Sequence, residues 1–303
     1  MPTPADVTVV VCSRNREDML RAAISAIESA TPPETDVLVV DSASDGDGTR
    51  RVAAEAGVAC VRSGRGLSVA RNVGITTASR SLVVFTDDDC RPKAGWIERL
   101  CDRFDDPAVL AVTGRMLDHT TGLDAPYSRP ERYERPISGL DAGHGAVMAF
   151  RREVLLRLGG FDDVLGAGQR HAGAEDLDIF IRVLRAGGVV EHEGDAVVLH
   201  ANTRVGDAYV ELYRGYGRGL GALVGKWMRL DPWLGIRLGW ILVGRTTRRI
   251  LGSRRDSSHD RALLAGLAEG AWDTRRIPLF AERFVPPWEP TRMPVLLAEG
   301  AVA

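Results

Sequence analysis

Lysine is almost missing from this 303-residue chain: Lys93 and Lys226 are the only two, and every other basic residue is arginine. With abundant alanine and glycine, this reads as a coding bias and carries no functional meaning. Cysteine is scarce as well. The four, at 12, 60, 90 and 101, include no CxxC pair, so neither a disulfide framework nor a zinc site is legible. Cys12 lies in an apolar run and is expected to be a small buried hydrophobe. No stretch offers ~18 uncharged apolar residues, so a membrane-spanning helix is not expected. The nearest approach is PWLGIRLGWILVG, Pro232 to Gly244, which Arg237 interrupts. Short, Trp-bearing and flanked by arginines, it fits either a membrane surface or a helix packed on the core. The opening MPTPADVTVVV lacks the basic and long apolar regions of a signal peptide, so a reducing cytoplasm is expected.

What is present is an ordinary globular composition, 45% hydrophobic and 26% charged. The formal net charge of −2 argues against a nucleic-acid binder. The average hides an asymmetry. Residues 201–255 hold eleven Arg/Lys against three Asp/Glu, an excess of +8, which leaves −10 for the remainder. Such a stretch points either to an anionic partner, namely a membrane surface such as the inner face of a membrane, a phosphorylated acceptor or an acidic polymer, or to a solvated helix face.

The first half alternates strands and helices. Strands are expected at 7–11, 37–41, 58–63 and 81–89, with helices at 17–30, 49–57 and 67–78 between them. This spacing predicts βαβ units and a parallel sheet. The uninterrupted apolar runs VTVVV and SLVVF suit strands covered on both faces. Further on, helices are predicted at 96–104, 151–160 and 174–188, strands at 109–117, 145–150 and 197–200, and a loop over 124–136. Beyond residue 205 the spacing is helical, and the Pro-rich end from Pro286 is expected to be extended.

Ligands of open α/β sheets bind at the carboxyl ends of the strands. There stand Ser13-Arg14-Asn15, Asp41-Ser42 and the triplet of FTDDDCR, Asp87-Asp88-Asp89. The first turn, CSRNRED, contains no glycine, so a dinucleotide fingerprint is excluded, and no P-loop occurs. A divalent cation can hold phosphate instead, and Mg²⁺ or Mn²⁺ prefers hard carboxylate oxygens such as those of Asp87 and Asp89. Asp88, expected on the opposite side of an extended chain, is left unassigned. In HAGAEDLDIF, the acids Glu175, Asp176 and Asp178 fall in a helix's first turn. They read either as dipole partners or as a site for a general base. His200 ends a strand and could add a metal ligand; His192, between two glutamates, reads as an exposed turn. His144, in DAGHGAV, is expected to face the site.

Taken in order, these segments resemble family 2 glycosyltransferases with the GT-A fold, over about residues 6–202. VLVVDSASDGDGT is similar to the family's VVDNxSxDGT, GLSVARNVGI to G-x-x-x-ARNxG, FTDDDC to DxD, GAVMAFRREVLLRLGGFDD to the acceptor-side segment, and GAEDLDIF to the ED motif. The resemblance implies an α/β fold with a mostly parallel central sheet flanked by helices and a helical C-terminal extension. It divides the chain into a glycosyltransferase domain at 1–204, with nucleotide-binding (1–90) and acceptor (91–204) halves, and an extension at 205–303. It also implies an inverting, hexosyltransferase-like enzyme using a nucleotide-diphosphate sugar and Mg²⁺ or Mn²⁺. Asp176 would be the base. Ser13, Arg14, Asp41, Arg71 and Asp87 would meet the nucleotide sugar. Glu175 and His144 would lie on the acceptor side, and Asp89, Asp87 and His200 would meet the metal. Arg14 departs from the pattern, since the family often has an aromatic residue there; a guanidinium can also stack on a base. The acceptor implied is a lipid-linked or cell-envelope molecule, with a soluble one nearly as well supported. The competing readings are a nucleotidyltransferase, which would usually show a Gly-rich phosphate loop, and a non-catalytic sugar or lipid-carrier binder, against which the intact Asp87, Asp89 and Asp176 argue.

Overall fold

The structure is a computed structural model and describes residues 1–118, 131–201, 207–252 and 257–287. Its chain begins as the apolar pattern dictates. Strand β1 (Val7–Ser13) is buried along its whole length. Its side chains alternate: Val7, Val9 and Val11 enter one core, and Val10 and Cys12 enter another. The first core is roofed by α1 (Glu17–Ala30), α2 (Gly48–Glu55) and α4 (Trp96–Asp102). The second is roofed by α3 (Leu67–Thr77), α5 (Arg152–Arg157) and α6 (Glu175–Arg185). A strand covered on both sides has no solvent face for polar residues, which is why the run is unbroken.

Strands β2 (Asp36–Ser42), β3 (Ala59–Ser63) and β4 (Leu82–Asp87) join β1 in the order β3-β2-β1-β4, all parallel. The sheet then turns mixed. It continues through β8 (Val147–Arg151), β6 (Val109–Asp118), β9 (Val189–His200) and β5 (Cys90–Pro92), with β7 (Glu131–Tyr133) also on β9. Strands β4 and β8 are antiparallel, and β6 and β9 are parallel with two register shifts. Strand β4 stops at Asp87, so the acidic triplet straddles a strand end and a turn.

Two expectations are corrected. The short strand at 197–200 is the end of a 12-residue strand, and His192 is not in an exposed turn. There its Nδ1 lies 3.1 Å from the Thr113 hydroxyl, and Glu193 pairs with Arg103. Polar residues survive in this strand because they find partners on its neighbours. In the expected loop at 124–136, residues 124–130 lie outside the described residues, and 131–133 form β7. The expected extended end from Pro286 lies outside them beyond residue 287.

Three helices follow: α7 (Asp207–Leu230), α8 (Pro232–Gly252) and α9 (Ser258–Thr274). Close approach is built into their sequence. A Cβ at Gly221 of α7 would lie 2.0 Å from the Leu267 carbonyl of α9, and one at Gly219 would lie 2.3 Å from the Gly173 carbonyl just before α6. Helices α7 and α8 pack Leu223, Trp227, Leu234 and Leu238 on Ile181 and Ala174.

The extension also sends a charge into the interior. Lys226 is fully buried, with Nζ 2.9 Å from Asp162 Oδ2 and 2.5 Å from Asp178 Oδ1. Asp178 also accepts from Arg182 at 2.9 Å, and Asp162 from the Phe284 N–H at 2.9 Å. Removing Lys226 takes the paired ammonium from Asp162 and one of two cations from Asp178, both carboxylates being fully buried. Lys226→Met is therefore expected to cost about 3–5 kcal/mol of stability, read as a lowered urea midpoint. An unchanged midpoint would show that the network adds nothing.

Candidate functional site

Strands β1, β2 and β4 end side by side, with Ser13 opposite Asp41 and Cys12 opposite Asp87. Each carries its loop to one edge. Near the end of β2, Asp41 is buried. It accepts from the Ser44 N–H at 2.8 Å and from Arg62 Nη1 at 2.8 Å. Arg14, on the β1 loop, donates to the Ala43 carbonyl and to Asp45. Asn15, at positive φ, reaches the same Asp45. Of the positions assigned to nucleotide binding, Ser13, Asp41 and Asp87 end β1, β2 and β4, Arg14 is in the loop after β1, and Arg71 is on α3.

The acidic triplet divides by partner. Asp88 is buried and accepts from the Ser13 hydroxyl at 2.7 Å and Arg16 Nη1 at 2.6 Å. Burial pushes its carboxyl up to about 6, against the pull of Arg16. Asp88 therefore has a structural task, and Ser13 is occupied by it. Asp89 accepts from Arg16 Nη2 at 2.8 Å and lies 3.5 Å from His200 Nε2. Strand β5 pairs Cys90 with His200, which explains how a histidine over a hundred residues away reaches the triplet. Asp87, Asp89 and Cys90 place ligand atoms within 4.8 Å of one another. The buried Cys90 thiol is held protonated by its burial and by both acids, so it is a poor ligand. The hard oxygens of Asp87 and Asp89, with His200 beside them, fit Mg²⁺ or Mn²⁺.

The base candidate arrives from α6. Ala174, its N-cap, sits in the left-handed region at φ 65°, a costly conformation for alanine, and turns the chain into the helix. Glu175 then points inward and Asp176 toward the loop before β8. Asp176 Oδ2 accepts from the Gly145 N–H at 2.9 Å, and Oδ1 from the Leu177 N–H at 2.8 Å. His144, next to Gly145, is exposed, and its Nδ1 accepts from the Ala146 N–H.

Arg71 joins the two halves. Only 2% exposed, it donates to Glu175 at 2.9 Å, to the Gly145 carbonyl at 3.0 Å and to Asp87 at 3.3 Å. The Phe85 and Phe161 rings flank its guanidinium, with centroids 5.9 and 5.4 Å away. Burial lifts the Glu175 carboxyl to about 6, with Asp176 adding and Arg71 opposing. Burial also raises Asp87, again against Arg71, and Asp89 adds to the rise. The neighbouring Asn72 holds the Phe161 backbone and Asp163, tying ARNVG to GGFDD. Gly74 completes that motif because a Cβ there would lie 2.6 Å from a Val10 methyl.

Sequence reasoning missed Arg16, which spans Asp88 and Asp89, and Arg62 on Asp41. It also missed the Gly145 amide on Asp176. Arg16 sits in NRED, indistinguishable from an ordinary helix start. The only signal for it was three carboxylates that needed a counter-charge.

The sequence profile of glycosyl transferase family 2 matches residues 8–158, about half of the chain. Residues 8–158 belong to glycosyl transferase family 2. A pre-mycofactocin glycosyltransferase of Mycobacterium tuberculosis is 30% identical over 218 residues, covering 66% of this chain and 43% of that protein. The chain thus spans under half the length of that relative. A glucosyl-dolichyl phosphate glucuronosyltransferase of Haloferax volcanii is 24% identical over 66% of this chain and 68% of that one. Among solved structures, a mannosyltransferase from Pyrobaculum calidifontis, in complex with GDP-Man and Mn²⁺, covers 90% of both chains at TM-score 0.62 and 20% identity. That likeness shows the GT-A fold alone.

A pH signature follows from Glu175. Its folded carboxyl titrates near 6 instead of 4.5, so the folded state keeps the proton to higher pH. The stability this gives is complete below about 4.5 and is lost as pH rises through about 6. Glu175→Gln, which can still accept from Arg71, should flatten the decline of the urea midpoint across that window. Asp88→Asn should remove a second share. An unchanged slope in Glu175→Gln would contradict the assignment.

Proposed function

We propose that the chain is a metal-assisted inverting glycosyltransferase that moves a sugar from a nucleotide diphosphate to an acceptor hydroxyl. The observation that carries this reading is one continuous set of contacts. Asp176 binds the Gly145 N–H, the Gly145 carbonyl binds Arg71, and Arg71 binds Asp87. A candidate base and a candidate cation seat thus face each other across one guanidinium and one peptide. Family membership and the nucleotide-sugar ligand of the Pyrobaculum neighbour support the donor class.

Asp41 and Arg14 meet the nucleotide, and Ser13 holds the loop through Asp88. Asp87, Asp89 and His200 hold the metal; the Mn²⁺ in that neighbour supports a divalent ion, Mn²⁺ or Mg²⁺. Such an ion supplies positive charge against the departing diphosphate. Asp176 takes the acceptor's hydroxyl proton. Its two N–H bonds leave lone pairs on both oxygens, so orientation is fixed while proton acceptance is kept. The acceptor oxygen bonds to the anomeric carbon as the bond to the diphosphate breaks, and the nucleoside diphosphate leaves with the electron pair. One displacement inverts the centre. Glu175 acts on Asp87 through Arg71 as a positioning residue, and His144 borders the acceptor side. The catalytic unit is assigned to 1–204, with 205–303 as its helical extension.

Asp176→Asn is expected to lower transfer by about 10²–10⁴-fold while nucleotide-sugar binding stays intact. Normal turnover by that variant would remove the base assignment. Asp89→Ala should weaken nucleotide-sugar binding in Mn²⁺ and leave binding without metal unchanged, as followed by thermal shift across a donor panel. Equal shifts for both proteins in Mn²⁺ would count against the metal seat.

A further inference from the structure

Helix α8 has two apolar faces. Leu234 and Leu238 face inward, onto the core with α6 and α7. On the other side Trp233, Ile236, Trp240 and Val243 lie three or four residues apart, which places them on one stripe. Trp233 is 79% exposed and Trp240 82%. A chain with only six tryptophans leaves two of them in water on a single helix. Scattered exposed apolar residues need no explanation; a helical stripe with two indoles does.

The charges beside the stripe name its partner. Helix α8 contains Arg237, Arg245, Arg248 and Arg249 and no acidic residue. Arg245 and Arg249 are held by Asp141 and Asp260. Arg237 and Arg248 are exposed and make no ion pair among the described residues. Indoles suit the boundary between water and hydrocarbon, where the ring is buried and its N–H stays wet. Unpaired arginines beside them suit phosphate headgroups. A second copy of this chain would bring the same positive charges against each other, so self-association is disfavoured by charge. No helix among the described residues is long and apolar enough to cross a membrane, so the helix would lie on the surface.

We propose that the outer face of α8 docks the protein on a lipid bilayer bearing anionic headgroups, with Trp233, Ile236, Trp240 and Val243 in the interface and Arg237 and Arg248 on phosphates. The docked helix sits beside the candidate acceptor side. Arg245 grips Asp141, four residues before the Gly145 amide that holds Asp176, and Leu234 and Leu238 of α8 belong to the apolar cluster on which Leu177, next to that base, packs.

The test is co-sedimentation of the full chain with vesicles of phosphatidylcholine, with and without phosphatidylglycerol. The wild-type chain should bind the anionic vesicles, bind the neutral ones far less, and lose binding as salt rises. W233S/W240S should lower the partition coefficient by tenfold or more. R237E/R248E should abolish the preference for anionic lipid, each arginine being worth about fivefold near such a surface. All four positions are on the surface, so unchanged melting and nucleotide-sugar binding will confirm that the variants fold. Absence of wild-type binding, or equal binding by W233S/W240S, overturns the proposal. So does a concentration-dependent dimer that the tryptophan variant dissolves while vesicles capture neither protein.

Discussion

A single buried guanidinium organises this molecule. Arg71 sits where helix α3 passes beneath the sheet's carboxyl edge, away from water and between two phenyl rings. A charge so placed must be paired, and it is paired three ways. Its partners come from distant parts of the chain: Asp87 at the end of β4, the Gly145 carbonyl before β8, and Glu175 opening α6. Three elements with no sequence proximity are thereby drawn to one point. The planar, multiply donating shape of arginine makes this geometry available where lysine's single ammonium would not. Asp87 takes its place beside Asp89, and Asp176 takes its place on the Gly145 amide, as consequences of that convergence.

The same logic repeats one layer further out. Helix α6, which carries Asp176, is held from behind by Lys226 through Asp178, and its own Arg182 donates outward to the Leu158 and Gly160 carbonyls. Lys226 belongs to α7, so the C-terminal helices brace the helix that presents the base candidate. Their packing on Ala174, at the strained entry to α6, adds an apolar contact to the ionic one. The tether between the two parts is therefore physical and buried. A membrane-docked α8 would rest on a support continuous with the site.

Much of this was legible in the sequence, for identifiable reasons. Strands β1 and β4 announced themselves because burial on both faces forbids polar interruption. ARNVG and GGFDD were recognisable as motifs, yet the sequence could not show that Asn72 joins them across 89 residues. The triplet was read through strand periodicity, which fails here because the strand ends at Asp87 and the next two residues turn. Asp88 is accordingly an interior partner of Ser13 and Arg16. Strand β9 was only partly visible: EHEGD looks like a turn until Arg103 and Thr113 supply partners from other elements. Charged residues that find remote partners are hidden from local reading, and Arg16, Arg62 and Lys226 are all of this kind.

Arg71, by pairing at once with Asp87, Glu175 and Gly145, brings the candidate cation seat and the candidate base side together. Arg71→Lys keeps the charge and removes the fork. Titration of nucleotide sugars into wild-type and variant protein, with and without Mn²⁺, by calorimetry tests that convergence most directly. The variant should remain folded but lose the Mn²⁺-dependent gain in affinity. A variant that binds with the wild-type affinity and the wild-type response to Mn²⁺ would contradict it.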